Sequence, residues 1–210
     1  MGFNKMKHLN WIVIAVLLLL TSCSFIVNRM VGIRTVKTMD DKAITAAAIQ
    51  FEIPLKHVYA VDTNYIQVLK AKQQKHTPTS LNNHLQPLQA LYFIKGQYPE
   101  SFQINCYAGG LPNLNWERDG IMESFPPKIQ APLDSMVSRE ELFNIVQKLN
   151  GVDYSEAITS GPLVVVFWTK FMHKHTKAFI PVVQKNLKHS TVPVQVIYVN
   201  ADNLFAHLEE

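Results

Sequence analysis

Cysteine is nearly absent from this chain. Cys23 and Cys106 are its only two, too few for a disulfide framework, so the fold must hold by packing. Glycine is sparse too, with 8 in 210 residues, and neither the Walker loop nor G-x-G-x-x-G occurs, which excludes the phosphate and dinucleotide cradles built on them. The G-x-S-x-G of a nucleophile elbow and the H-E-x-x-H of a zinc protease are missing as well. No pattern calls for a cofactor. Charge is in short supply: 20 Lys and Arg face 16 Asp and Glu, and two of the cations, Lys5 and Lys7, lie in a segment expected to be removed. The small excess left excludes the electrostatic footprint of a nucleic-acid partner. The longest unbroken apolar run, residues 11–20, is about half the ~20 residues that a membrane-spanning helix needs.

That run, preceded by Lys5 and Lys7 with no acid, has the shape of a secretory signal. It ends in Leu20, Thr21, Ser22 and Cys23, which resemble the lipobox of bacterial lipoproteins. The resemblance implies cleavage before Cys23, lipid on its thiol and a partner in the membrane itself, since only a thiol accepts the diacylglycerol. Residues 1–22 then read as the signal peptide, residues 23–37 as a tether and residues 38–210 as a single α/β domain of the cell envelope, outside the cytoplasm. The alternative is an uncleaved anchor, because Phe25, Ile26 and Val27 prolong the apolar stretch. The positive charges keep the N-terminus inside in either case.

Beyond the tether the hydrophobic share, 48% over the whole chain, is enough for a packed core. Asp40 or Asp41 opens an alanine-rich helix to about Gln50, and residues 57–61 alternate as a short strand. Asp62 and Thr63 cap a helix from Tyr65 to about Gln73, and the polar residues 76–87 read as a loop. Residues 88–94 and 102–107 form a hairpin, on whose return strand Phe102, Ile104 and Cys106 share a face, so Cys106 is expected in the core. Residues 109–132 are irregular, with Trp116 either a binding residue or the anchor of its own loop. Ser138 and Glu141 make a capping box for a helix through Leu149. The continuous apolar run 163–168 is a strand buried on both faces, followed by a helix over 171–187 kinked near Pro181 and another buried strand over 194–200. Helices alternating with apolar strands predict a mixed β-sheet with helices packed on it.

Residues 164–177, Val-Val-Val-Phe-Trp-Thr-Lys-Phe-Met-His-Lys-His-Thr-Lys, resemble the active-site region of thioredoxin-like proteins: a buried strand ending in Phe-Trp, a short turn, then C-x-x-C opening a helix with a proline further on. Phe167, Trp168 and Pro181 match, and the likeness covers about residues 138–210. Counting from Trp168 places Met172 and His175 where the family has its cysteines; counting back from Pro181 places His173 and Thr176 there. Dithiol exchange needs an attacking thiolate and a resolving thiol, so that reaction cannot run here. The family's closing hairpin does not follow the second strand, and the hairpin of residues 88–107 is expected to complete the sheet instead.

Four readings stay open. Trp168, Met172, His173, His175 and Trp116 are the candidate surface of a redox-inactive module that binds another envelope protein or a peptide. Met172, His173 and His175, with His189, are thioether and imidazole ligands suited to copper or zinc, although residues two apart fall on different sides of a helix. Cys106 could act as a lone nucleophile only if exposed and near positive charge. The last reading is a purely structural envelope protein.

Overall fold

The computed structural model describes residues 31–148 and 161–209. Six strands, β1 (Val58–Val61), β2 (Gln89–Phe93), β3 (Ser101–Ile104), β4 (Val146–Lys148), β5 (Leu163–Trp168) and β6 (Gln195–Asn200), pair into one mixed sheet in the order β3-β2-β5-β6-β1-β4. The apolar run Leu163–Trp168 sits inside this sheet for a physical reason. It pairs parallel with β6 on one side and antiparallel with β2 on the other, so its backbone polar groups have partners on both edges. Both of its faces are covered. Val164, Val166 and Trp168 enter one apolar cluster, and Leu163, Val165 and Phe167 enter the other.

Among the described residues six helices cover the sheet: α1 (Asp41–Gln50), α2 (Tyr65–Lys72), α3 (Pro78–His84), α4 (Arg139–Ile145), α5 (His173–Leu187) and α6 (Asp202–Glu209). Helix α1 begins where Asp40 accepts a hydrogen bond from Ala43 N at 2.7 Å. Its small residues Ala47 and Ala48 let it lie close against the face that also receives Phe179, Ile180 and Val183 of α5. The other face receives Tyr65, Ile66 and Leu69 of α2, Leu142 and Ile145 of α4, and Leu204 of α6. The expected α/β class with a mixed sheet is what forms. The hairpin β2–β3 does complete the sheet, through β2 against β5. Among the described residues no helix is long and apolar enough to cross a membrane.

Local signals hold where the capping chemistry is complete. Ser138 Oγ accepts from Glu141 N at 3.2 Å while Glu141 Oε2 accepts from Ser138 N at 2.8 Å, the reciprocal pair that the sequence announces. Helix α4 is nevertheless shorter than expected: at Val146 the chain turns extended and pairs antiparallel with β1, and the rest of the expected helix end lies outside the described residues. The stretch 76–87 is not all loop. Thr77 accepts from Ser80 N at 3.2 Å and Pro78 stands at the first helical position, starting α3. Its polar composition conceals a helix whose buried face is Asn83 and His84, the latter within 2.9 Å of Asp134. Cys106 is also misplaced by the alternation rule. Strand β3 stops at Ile104: Asn105 N still donates to Leu88 O, but Leu88 N donates to the side-chain Oδ1 of Asn105, and the chain coils into a 3-10 turn that leaves Cys106 exposed. Helix α5 runs continuously through Pro181, which stands exposed.

Candidate functional site

The turn after β5 is where the sequence places its candidate residues, and Asp202 shapes it. From the first residue of α6, its carboxylate accepts from Lys170 N at 2.7 Å, Phe171 N at 3.1 Å and Asn200 Nδ2 at 2.7 Å. Burial pushes this carboxyl above its ordinary pKa despite those three donors. Thr176 Oγ1 donates back to Thr169 O at 2.6 Å, and Met172 O accepts from both His175 N and Thr176 N at 2.9 Å. The segment Thr169–Thr176 is thus tied at both ends, and α5 starts at His173.

Most of the candidate surface is not a surface. Trp168 is 0% exposed and packs edge-on against Phe51, with ring centroids 5.7 Å apart. Met172 and His175 are buried too, at 2% and 3%. Trp116 is buried against Phe179, centroids 4.1 Å apart, so it anchors its own loop. His173 alone of the five is half-buried, with its ring beside that of Phe51. Desolvation lowers its pKa, and the charges of Arg34, Lys177 and Lys170 lower it further. Three cations thus lie near enough to act on one imidazole.

What closes this end is the chain's own residues 31–39, the first part of which was expected to be tether. Val31 O accepts from His175 Nε2 at 2.6 Å, and Arg34 N donates to Phe171 O at 2.7 Å. Met39 and Asn203 exchange two hydrogen bonds, at 2.6 and 2.9 Å. Ile33, Val36 and Met39 pack on the core. Gly32, at φ +77°, passes so close to α5 that a Cβ there would stand 3.0 Å from Lys174 Cβ, which is why a residue without one is needed. Residues 31–37 are therefore a strap laid over the start of α5, a correction with a plain cause: apolar residues every third position had a core to join.

Between the strap, the start of α1 and the turn lies a cleft of about 390 Å³, lined by Arg34, Lys37, Met39, Lys170, Phe171 and Asp202 among others. Compared with known proteins, the chain matches no family model, no curated sequence and no solved structure. Its chemistry must be read from the cleft itself. Three of the lining residues are cations, and the one carboxylate among the six is spent on backbone and amide donors. The cleft suits an anionic group bordered by apolar atoms. Sequence reasoning missed it because Arg34, Lys37, Lys170 and Asp202 belong to three separate stretches; the only local signal was the absence of any acid between Cys23 and Asp40.

The candidate metal ligands do not assemble. His175 Nε2 is committed to Val31, and His189 lies beyond the far end of α5, about 21 Å along the helix axis at 1.5 Å per residue. Among the described residues no group of three or more His, Cys, Asp or Glu could hold a metal ion. Cys106 stands apart from the turn, its thiol donating to Gln86 Oε1 at 2.9 Å, and burial raises its pKa. An exposed thiol of raised pKa is reachable but mostly protonated. A maleimide or disulfide reagent is therefore expected to modify Cys106 in the native protein without denaturant, at a rate that climbs with pH beyond that of an unperturbed thiol; protection until unfolding would return Cys106 to the core.

Proposed function

We propose that this chain is a lipid-tethered protein of the cell envelope whose thioredoxin-like domain has no redox chemistry and instead binds an acidic partner at the end of β5. The sheet supports the thioredoxin-like part. Strands β1, β6 and β5 run parallel and side by side, and an antiparallel hairpin flanks β5, as in that family, except that here the hairpin precedes β5 in the chain. The redox-inactive part rests on the residues at the start of α5: in one register Met172 and His175 stand where the thiols would, in the other His173 and Thr176, and neither pair supplies a thiol. With Cys23 acylated, Cys106 is the one thiol left, and one thiol cannot both attack and resolve a disulfide.

The cleft carries the binding part. The protein or peptide partner read from the sequence would have no access to Trp168 or Met172, which are buried, whereas Arg34 and Lys37 are exposed at the cleft and Lys170 half-exposed. An acidic group gains from all three cations and from the apolar atoms of Met39 and Phe171.

The test is fluorescence anisotropy with labelled poly-glutamate and the purified full-length protein. Binding should weaken steeply as salt rises and fall at least about fivefold in Arg34→Glu, the order of one charge-assisted contact. Labelled poly-lysine should not bind. No binding of poly-glutamate at low salt would sink the acidic-partner reading, and catalytic reduction of insulin by the same preparation would sink the redox-inactive one.

A further inference from the structure

The position of the strap identifies which acidic partner the cleft meets. We propose that the face made by residues 31–37, Lys170 and the first turn of α5 lies on the anionic phospholipid headgroups of the membrane that anchors the chain, with a headgroup phosphate seated between Arg34, Lys37 and Lys170. The inference rests on the lipid at Cys23 in the reading above and adds the identity and orientation of the partner.

The leash comes first. Val31 follows Cys23 by eight residues, a span of at most about 29 Å when fully extended. At Val31 the chain is already docked on α5, through the carbonyl that accepts from His175. The end of the domain carrying that contact is therefore held within this reach of the bilayer. A protein partner would have to enter the gap between this face and the lipid.

Charge is the second, independent argument. From Cys23 to Met39 the sequence holds Arg29, Arg34 and Lys37 and no acid. The fold adds three lysines from α5 and its preceding turn: Lys170 lines the cleft, Lys174 lies against Gly32, and Lys177 is near enough to act on the same imidazole as Arg34 and Lys170. A cation within a Debye length of an anionic leaflet contributes about fivefold to partitioning. The acids at this end are fewer than the cations: Asp202 is buried under three donors, while Asp40 and Asp41 are exposed at the start of α1, with Lys42 beside them. The chain as a whole has only a slight positive excess, so this concentration on one face is a property of the fold.

Lysine footprinting of the lipidated full-length protein reads the orientation directly. The chain is reconstituted in vesicles of phosphatidylcholine alone and in vesicles containing phosphatidylglycerol, and acetylation rates are followed by mass spectrometry. Lys37, Lys174 and Lys177 should react about fivefold more slowly on the anionic vesicles, the factor of one surface cation, while Lys70 and Lys75 on and after α2, at the other face of the sheet, keep their rates. High salt should abolish the difference, and Lys174→Glu with Lys177→Glu should abolish it at Lys37; both positions are exposed, so the fold is undisturbed. Equal rates on the two vesicles overturn the proposal alone. Slowing by added poly-glutamate but not by phosphatidylglycerol also overturns it and leaves the cleft to a protein partner. A chain whose N-terminal peptide carries no lipid removes the leash and overturns both this proposal and the lipid-tethered reading.

Discussion

On the proposed lipoprotein reading, Cys23→Ala should abolish incorporation of a fatty-acid probe in cells and leave residues 1–22 on the chain, because that reading makes the thiol the acceptor of the diacylglycerol and has processing wait for its acylation. The expected effect is complete, since no neighbouring residue can substitute: Ser22 and Ser24 present hydroxyls. Each buried CH₂ of an acyl chain contributes about 0.8 kcal/mol to membrane attachment, so the wild-type chain should resist extraction by salt or alkali. Metabolic labelling followed by mass spectrometry of the N-terminal peptide distinguishes the outcomes. Labelling that persists in the variant removes the lipoprotein reading and, with it, the orientation inferred for the strap face.

Trp168→Ala should cost about 3–5 kcal/mol, the usual range for deleting a fully buried large aromatic. The side chain has no exposed surface, ends β5, and packs with Phe51 and its cluster beneath the start of α5. For a domain of this size the loss corresponds to a fall in Tm of roughly 6–20 °C. Had Trp168 been part of a binding surface, its removal would weaken binding and spare stability. Thermal melting and the poly-glutamate assay, run on the same protein, separate those roles: the structure places the effect in the melt. Trp168→Phe, which keeps most of the volume, should recover much of the stability.

These two residues mark the ends of what is legible without coordinates. The run Leu163–Trp168, the capping box at Ser138 and Glu141, and the cap at Asp40 are local patterns, each complete within a few residues, and each appears where expected. Cys106 was misjudged because strict alternation assumes that a strand continues through residue 107, whereas this one ends at Ile104 and the chain coils into a 3-10 turn. Helix α3 escaped notice because its buried face is amide and imidazole, supported by partners far away in sequence such as Asp134. Helix α6 follows β6 after a single residue, with Asp202 both starting the helix and holding the turn after β5.

The sequence alone determined that residues 164–177 carry no thiol, so the chemistry of a C-x-x-C site has no reagent in that segment. The continuous apolar run determined the buried strand, and the stretch after it was legible as a helix. Only the tertiary structure decided that residues 31–39 return to cover that helix start, and that Arg34, Lys37, Lys170 and Lys177 become neighbours. The reason is physical. Val31 meets His175 across 144 positions and Met39 meets Asn203 across 164, and contacts so distant are set by which apolar side chains share a core, a choice that leaves no mark on the residues beside them.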